Sequence, residues 1–361
     1  MAIFTDVFED VTKQGRKIPT SDYHETGVHP IIDQGQSAIA GYTDETDGLF
    51  TDVPAIIFGD HTRVLKYVDT PCFLGADGVK LLKTKIANPN YKYLYYVLSN
   101  ANIPNTGYNR HFKWLKEVNI PLPNVDEQQK IVDTLDKIGE LITLRKEQLT
   151  KLDQLVKSRF IELFGDMAHK SDKVFLEELS NFVTVGIANS ATHAYADDGI
   201  VMLRNQNIKE NYLDDNDLVH ITPEFAKKYG SKQLEENDIL VIRTGYPGVA
   251  CLVPKKYEGC QTFTTLIVRL KDASLAHANY VCHYINSHFG KDYVEQSKVG
   301  VAQQNFGAKA LAKMPIVVPP MELQEQFAAF VEQTDKSKLV IQQSLDKLET
   351  LKKSLMQEYF G

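Results

Sequence analysis

The chain has 361 residues, 43% of them hydrophobic and 24% charged, which suits two or more globular domains, each with its own core. No apolar run is long enough to span a bilayer, and the start MAIFTDVFED lacks the basic and apolar blocks of a secretory signal, so a cytoplasmic location without membrane contact is expected. The net charge of −7 and the lack of any strongly basic segment argue against a protein that grips nucleic acid by bulk charge; any such contact must use local patches or a partner's charge.

Residues 1–122 form a first arm. The β-branched and apolar runs VPAIIF, RVLKYV and GVKLLK predict three strands, followed by a short aromatic helix, NYKYLYYVLSN, and a lead-in, TGYNRHFKWLKEVNIPLP. Residues 123–165 contain no proline after Pro123 and one glycine before the end, Gly139. There Ile131, Leu135, Ile138, Ile142, Leu149, Leu152, Val156 and Leu163 alternate steps of four and three except where Arg145 and Arg159 interrupt, a heptad seam on a helix of about 38 residues, or roughly 55 Å. Asp126 with Gln129 reads as its N-cap and capping-box partner, and Gly165 as its stop.

Residues 166–318 form a second arm with the same succession: strands at NDILVIR, GVACLVP and TFTTLIVRL, then the aromatic helix NYVCHYINS, whose Tyr280 corresponds to Tyr93, then the lead-in VAQQNFGAKALAKMPIVVP. Residues 319–361 carry a second long helix with Phe327, Val331, Ile341, Leu345, Leu348, Leu355 and Tyr359 on its seam, broken by Lys338 and Lys352. This helix copies the first. An offset of 196 relates Phe164 to Phe360, Lys157 to Lys353, Leu149 to Leu345, Gln128 to Gln324 and Pro123 to Pro319 without a gap. Two imperfect seams of equal length are most simply buried against each other, antiparallel. The expected fold is α+β: two α/β globular domains separated by two long helices packed as an antiparallel coiled coil, pseudo-twofold.

Chemistry of its own is not expected. There is no N-P-P-[FY] methyltransferase motif, Asn88, Pro89 and Asn90 being the nearest miss. The stretch from Gly245 to Gly248 matches neither a dinucleotide nor a phosphate loop. His277, His283 and His288 are spaced by six and five and do not converge on one helix face, and Cys72, Cys251, Cys260 and Cys282 are scattered, so no metal, cofactor or catalytic residue is expected.

The lead-ins PNVDEQQKIV and PPMELQEQFA, the K-L-x-x-L-x-K-S pattern of both helices and the two Phe-Gly endings give the chain its resemblance to the specificity subunits of type I restriction-modification enzymes. Asn124 and Leu323 depart from the family's usual residues. The resemblance implies a non-catalytic subunit with two target-recognition domains, each reading one half of a split, asymmetric double-stranded DNA target, and helices that hold two methyltransferase subunits, with restriction/translocase subunits where present. A coiled-coil protein adaptor without DNA binding is the alternative; a further one is service to a partner chain in which cleavage and methylation are fused.

Base edges are read by Arg, Lys, amide and hydroxyl side chains on loops that can enter a groove. Candidates in the first arm are Gln34, Gln36 and Ser37, then His61 and Arg63, then Tyr108, Asn109 and Arg110. In the second they are Arg204, Gln206 and Asn207, then Arg243 and Thr244, then Lys298, Gln303, Gln304 and Asn305. Trp114, the single tryptophan, is assigned to packing.

Overall fold

A computed structural model of the chain describes residues 1–75, 77–165, 172–188, 192–273, 275–298 and 305–361. These form two compact units, Met1–Glu147 with Gln342–Gly361, and Gln148–Ile341. Each contains one sheet-rich lobe and parts of both long helices, Val125–Phe164 and Met321–Phe360.

In the first lobe, all three anticipated strands join one antiparallel sheet in the order Phe8–Asp10, Val79–Thr84, Ala55–Gly59, Leu65–Val68. Ala55–Gly59 is buried throughout because both faces are covered. Ile56, Phe58 and Leu82 face a core shared with the aromatic helix Tyr91–Asn100, whereas Ala55, Ile57 and Leu81 face a second core. A strand covered on both sides reads as a continuous apolar run rather than an alternating one. The second lobe repeats the plan in the order Ser180–Val185, Leu266–Leu270, Ile239–Val241, Ala250–Leu252. Ile239, Val241 and Val268 face the helix Ala278–Asn286; Leu240, Ile242 and Ile267 face the other way.

Each lobe also carries a smaller sheet built around a parallel pair. In the first lobe Ile31 and Ile32 pair with Phe73 and Leu74, with Gly41–Thr43 antiparallel on the other side. In the second, Met202 and Leu203 pair with Gln261 and Thr262, with Val219–Ile221 antiparallel. The sequence did not reveal these sheets, because strands of two to four residues are too short to establish a period.

Within each unit the long helices pack antiparallel. In the first, Val132 and Leu135 share a core with Leu355, Met356 and Tyr359, while Arg145 Nε donates to Ser344 Oγ at 3.2 Å. In the second, Phe160 meets Phe327 edge-on at 5.4 Å and Lys338 pairs with Asp153 at 2.7 Å. The charged interruptions of both seams are thus answered: Arg145 by a hydroxyl, Arg159 by Glu162 at 2.8 Å, Lys338 by a carboxylate, and Lys352 by the Tyr96 ring at 6.0 Å. The buried face is wider than the predicted seam, since Val132, Phe160 and Phe164 are also buried where each helix meets lobe as well as helix.

The cap of the first long helix differs from expectation. Asn124, not Asp126, accepts from the Glu127 N–H at 2.9 Å, and Gln129 reaches sideways to Asn90 at 3.0 Å and Asp133 at 2.7 Å. Asn124 and Glu127 have the same spacing as Asp126 and Gln129, and the helix starts at the earlier pair because Gln128 Nε2 can then donate back to the Pro123 carbonyl at 2.9 Å. The copy does the same, Gln324 donating to the Pro319 carbonyl at 2.8 Å. Trp114 is partly buried at the edge of the first core, tilted against His111 at 5.4 Å.

Candidate nucleic-acid interface

The described sequence candidates fall on three loops that occupy matching places in the two lobes. The first loop follows the strand of the parallel pair, His29–Ile32 or Ile200–Leu203. The second follows the central strand, Ala55–Gly59 or Ile239–Val241. The third precedes the short helix Phe112–Leu115 or Ala308–Ala312.

In the first lobe the three loops are tied together by side chains. Gln34 Oε1 accepts from the His61 N–H at 3.2 Å, and the Gln34 carbonyl accepts from Thr62 Oγ1 at 2.7 Å. His61 Nδ1 lies 3.2 Å from the Asn109 carbonyl, and its ring stacks on Tyr108 at 4.6 Å between centroids. Beneath them buried Asp60 accepts from the Phe112 N–H through its carboxylate at 2.8 Å, and its carbonyl takes the His111 N–H at 2.8 Å. The Ser37 carbonyl accepts from the buried Lys66 ammonium at 2.6 Å, which also pairs with Asp33 at 3.3 Å. Arg63 sits in the left-handed region at φ 63° and donates to the Ile103 carbonyl at 3.2 Å, beside Gln36 on the wall of a shallow groove. Arg110 is exposed and has no ion pair among the described residues. Gln34, Gln36, Ser37, His61, Arg63, Tyr108, Asn109 and Arg110 therefore belong to one loop cluster.

The second lobe shows the same linkage with other residues. Asn205 Nδ2 is 3.3 Å from both the carbonyl and Oγ1 of Thr244, Arg243 Nε donates to Asn305 Oδ1 at 3.0 Å, and the Phe306 N–H reaches the Arg243 carbonyl at 2.9 Å. Asp217, in the left-handed region at φ 53°, holds Arg204 through its carbonyl at 2.5 Å and its carboxylate at 3.0 Å, and Gln206 through the same carboxylate oxygen at 2.6 Å. Asn207 does not reach the surface: it is 1% exposed and its amide donates to the carbonyls of Asp214 and Asn216, so it supports the loop from inside. Lys298 is mostly covered and paired with Glu295. Gln303 and Gln304 lie outside the described residues.

Two residues of this face are not among the sequence candidates. Asp217 stands eleven and thirteen positions from its partners and gives no local sequence signal. Tyr246, 83% exposed, stands between two glycines of a turn, and that turn chemistry marks a projecting tip. Among the described residues no group of three His, Cys, Asp or Glu could hold a metal ion. Burial pushes the Cys72 thiol up to about 11 and the Cys282 thiol higher still, so neither is a ready nucleophile. No helix among the described residues is long and apolar enough to cross a membrane.

The family model described as "Type I restriction modification DNA specificity domain" matches residues 4–154 and 170–350. The chain is 26% identical over 350 residues to the EcoR124I/EcoR124II type I restriction enzyme specificity subunit of Escherichia coli, covering 88% of this chain and 82% of that one. In fold it is similar to the S subunit of a type I restriction-modification system from M. genitalium, with a TM-score of 0.63 at 16% identity, covering 100% of this chain and 95% of that one. A second similar chain, from a structure addressing complex assembly and conformational transition of the type I system, has a TM-score of 0.55 at 16% identity, covering 99% and 95%. With both arms and most of both helices inside the matched residues, the chain belongs to the type I restriction-modification DNA specificity family.

Proposed function

We propose that this chain is the sequence-reading subunit of a type I restriction-modification complex, each lobe reading one half of a split, asymmetric double-stranded DNA target through its three-loop face. Residues 1–122 and 166–318 would serve as the two target-recognition domains, and residues 123–165 and 319–361 as the helical spacers. The observation that carries this reading is that two lobes of one topology put differently composed polar loops at matching places. A shared scaffold with unlike loops suits two unlike half-sites.

The chain contributes recognition and no catalysis; two methyltransferase subunits, and restriction subunits where present, supply the chemistry in the cytoplasm. A net charge of −7 supports a partner's share in phosphate neutralisation. Exchange of residues 166–318 for the matching arm of another specificity subunit should alter one half of the methylated motif and leave the other intact. A change in both halves would contradict independent reading.

A further inference from the structure

Each lobe raises one almost fully exposed tyrosine from its loop cluster: Tyr108 is 87% exposed and Tyr246 83%. Single exposed aromatics are ordinary on protein surfaces, so exposure alone decides nothing. Their supports are more informative.

Tyr108 is held from behind. Its ring lies at 8° to that of His61, 4.6 Å away, and the loop carrying it is pinned by Asn105 Oδ1 accepting from the Gly107 N–H at 3.2 Å and by Asn109 Nδ2 donating to the Thr106 carbonyl at 2.5 Å. Gly107 at φ 77° provides the left-handed residue that turns the loop. One ring face is thus backed and the rest of the ring is left to solvent. Tyr246 is held by its turn. Gly245 at φ 85° and Gly248 at φ 94° flank it with Pro247, and the Gly248 N–H closes back on the Ile242 carbonyl at 2.9 Å. A side chain at Gly248 would collide with Val294, which fixes the turn against the lobe.

The two tyrosines do not stand at equivalent positions. Tyr108 is on the loop before the short helix Phe112–Leu115, and Tyr246 on the loop after the central strand Ile239–Val241. In each lobe these two loops touch, through His61 and Asn109 in the first and Arg243 and Asn305 in the second. The same feature therefore reaches the same face from opposite members of the loop pair.

We infer that Tyr108 and Tyr246 are aromatic wedges, each stacking on or into a base step of its own half-site and unstacking it locally. This rests on the DNA-reading function proposed above and deepens it. A rigidly held ring suits the role, because the protein loses little entropy on contact while its apolar face, exposed in the free chain, is covered by a base. The surrounding amide, hydroxyl and guanidinium groups of each cluster would keep the duplex in register as the step opens.

The test uses the complex of this chain with its methyltransferase subunits, on duplexes carrying the methylated motif with 2-aminopurine placed in turn at each step of both half-sites. Apart from the target base that a methyltransferase itself flips out of the stack, the wild-type complex should brighten the probe at one further step per half-site. Tyr108→Ser should abolish this in one half only and Tyr246→Ser in the other, each weakening binding about ten- to hundredfold. Tyr108→Phe and Tyr246→Phe should retain the signal, since stacking needs the ring and not the hydroxyl. Unchanged brightening in the serine variants, or equal loss in the phenylalanine variants, would overturn the wedge while leaving sequence recognition standing. Failure of the wild-type complex to prefer the motif over a scrambled duplex would instead overturn the recognition function itself.

Discussion

Tyr280 donates its hydroxyl to the carbonyl of Val317 at 2.7 Å, fastening the aromatic helix of the second lobe to the strand that leads into the second long helix. Tyr93 makes the matching bond to the Pro121 carbonyl at 2.9 Å in the first lobe, so the repeat extends from the helices to their attachment. Tyr280 is 1% exposed, and removing its hydroxyl strips a partner from a carbonyl that water cannot reach. Tyr280→Phe should lower unfolding free energy by about 1–3 kcal/mol, read as a shift in the urea midpoint at unchanged slope.

Phe327 is fully buried, with ring contacts to Phe160 at 5.4 Å, Phe164 at 5.6 Å and His283 at 5.0 Å. Phe327→Ala leaves a cavity that neighbouring rings can close only in part, and a loss of about 3–5 kcal/mol is expected in urea denaturation. Leu144 is 53% exposed, and Leu144→Ala should change stability by less than about 0.5 kcal/mol.

Burial pushes His283 down to about 4, and the nearby Lys338 ammonium pushes the same way against the Asn279 carbonyl and Glu210. Its folded pKa thus lies below the ordinary value of about 6.5. The unfolded chain takes up a proton first on acidification, so the stability held by neutral His283 is complete above about pH 6.5 and declines toward pH 4, by up to about 3 kcal/mol. His277 is lowered by burial as well and adds in the same direction. Denaturation midpoints measured from pH 7 to pH 4 should fall less steeply for His283→Leu than for the wild type; parallel curves would rule out this contribution.

Asp217 fixes Arg204 and Gln206 with a carboxylate that is itself 76% exposed. Asp217→Asn should barely change thermal stability yet remove the carboxylate that both side chains share, leaving Arg204 only the backbone carbonyl and reducing discrimination within one half-site by about tenfold. Methylation rates on duplexes substituted singly at each motif position would reveal it. Uniform loss across both half-sites would show that Asp217 does not act through these two residues.

Much of this architecture is legible in the sequence, and for a physical reason. The heptad seams and the buried central strands are patterns of apolar residues that burial imposes, and the 196-residue offset is a repeat of residue identities, polar ones included. The cap at Asn124 could not be separated from Asp126 because both have an acid or amide three residues on. The loop faces were located as clusters, but not the direction of each side chain. Asn207 turns inward to two carbonyls while Gln206 beside it turns outward to Asp217, a choice made by partners ten or so residues away. Loop chemistry is visible in sequence; loop geometry is set by tertiary contacts.

The most direct measurement is genome-wide single-molecule detection of modified bases in a host expressing this chain with its methyltransferase, compared with the same host lacking this chain. A new methylated motif in two unlike parts separated by a fixed gap is expected. No new motif, with both proteins expressed and folded, would contradict sequence recognition by this chain.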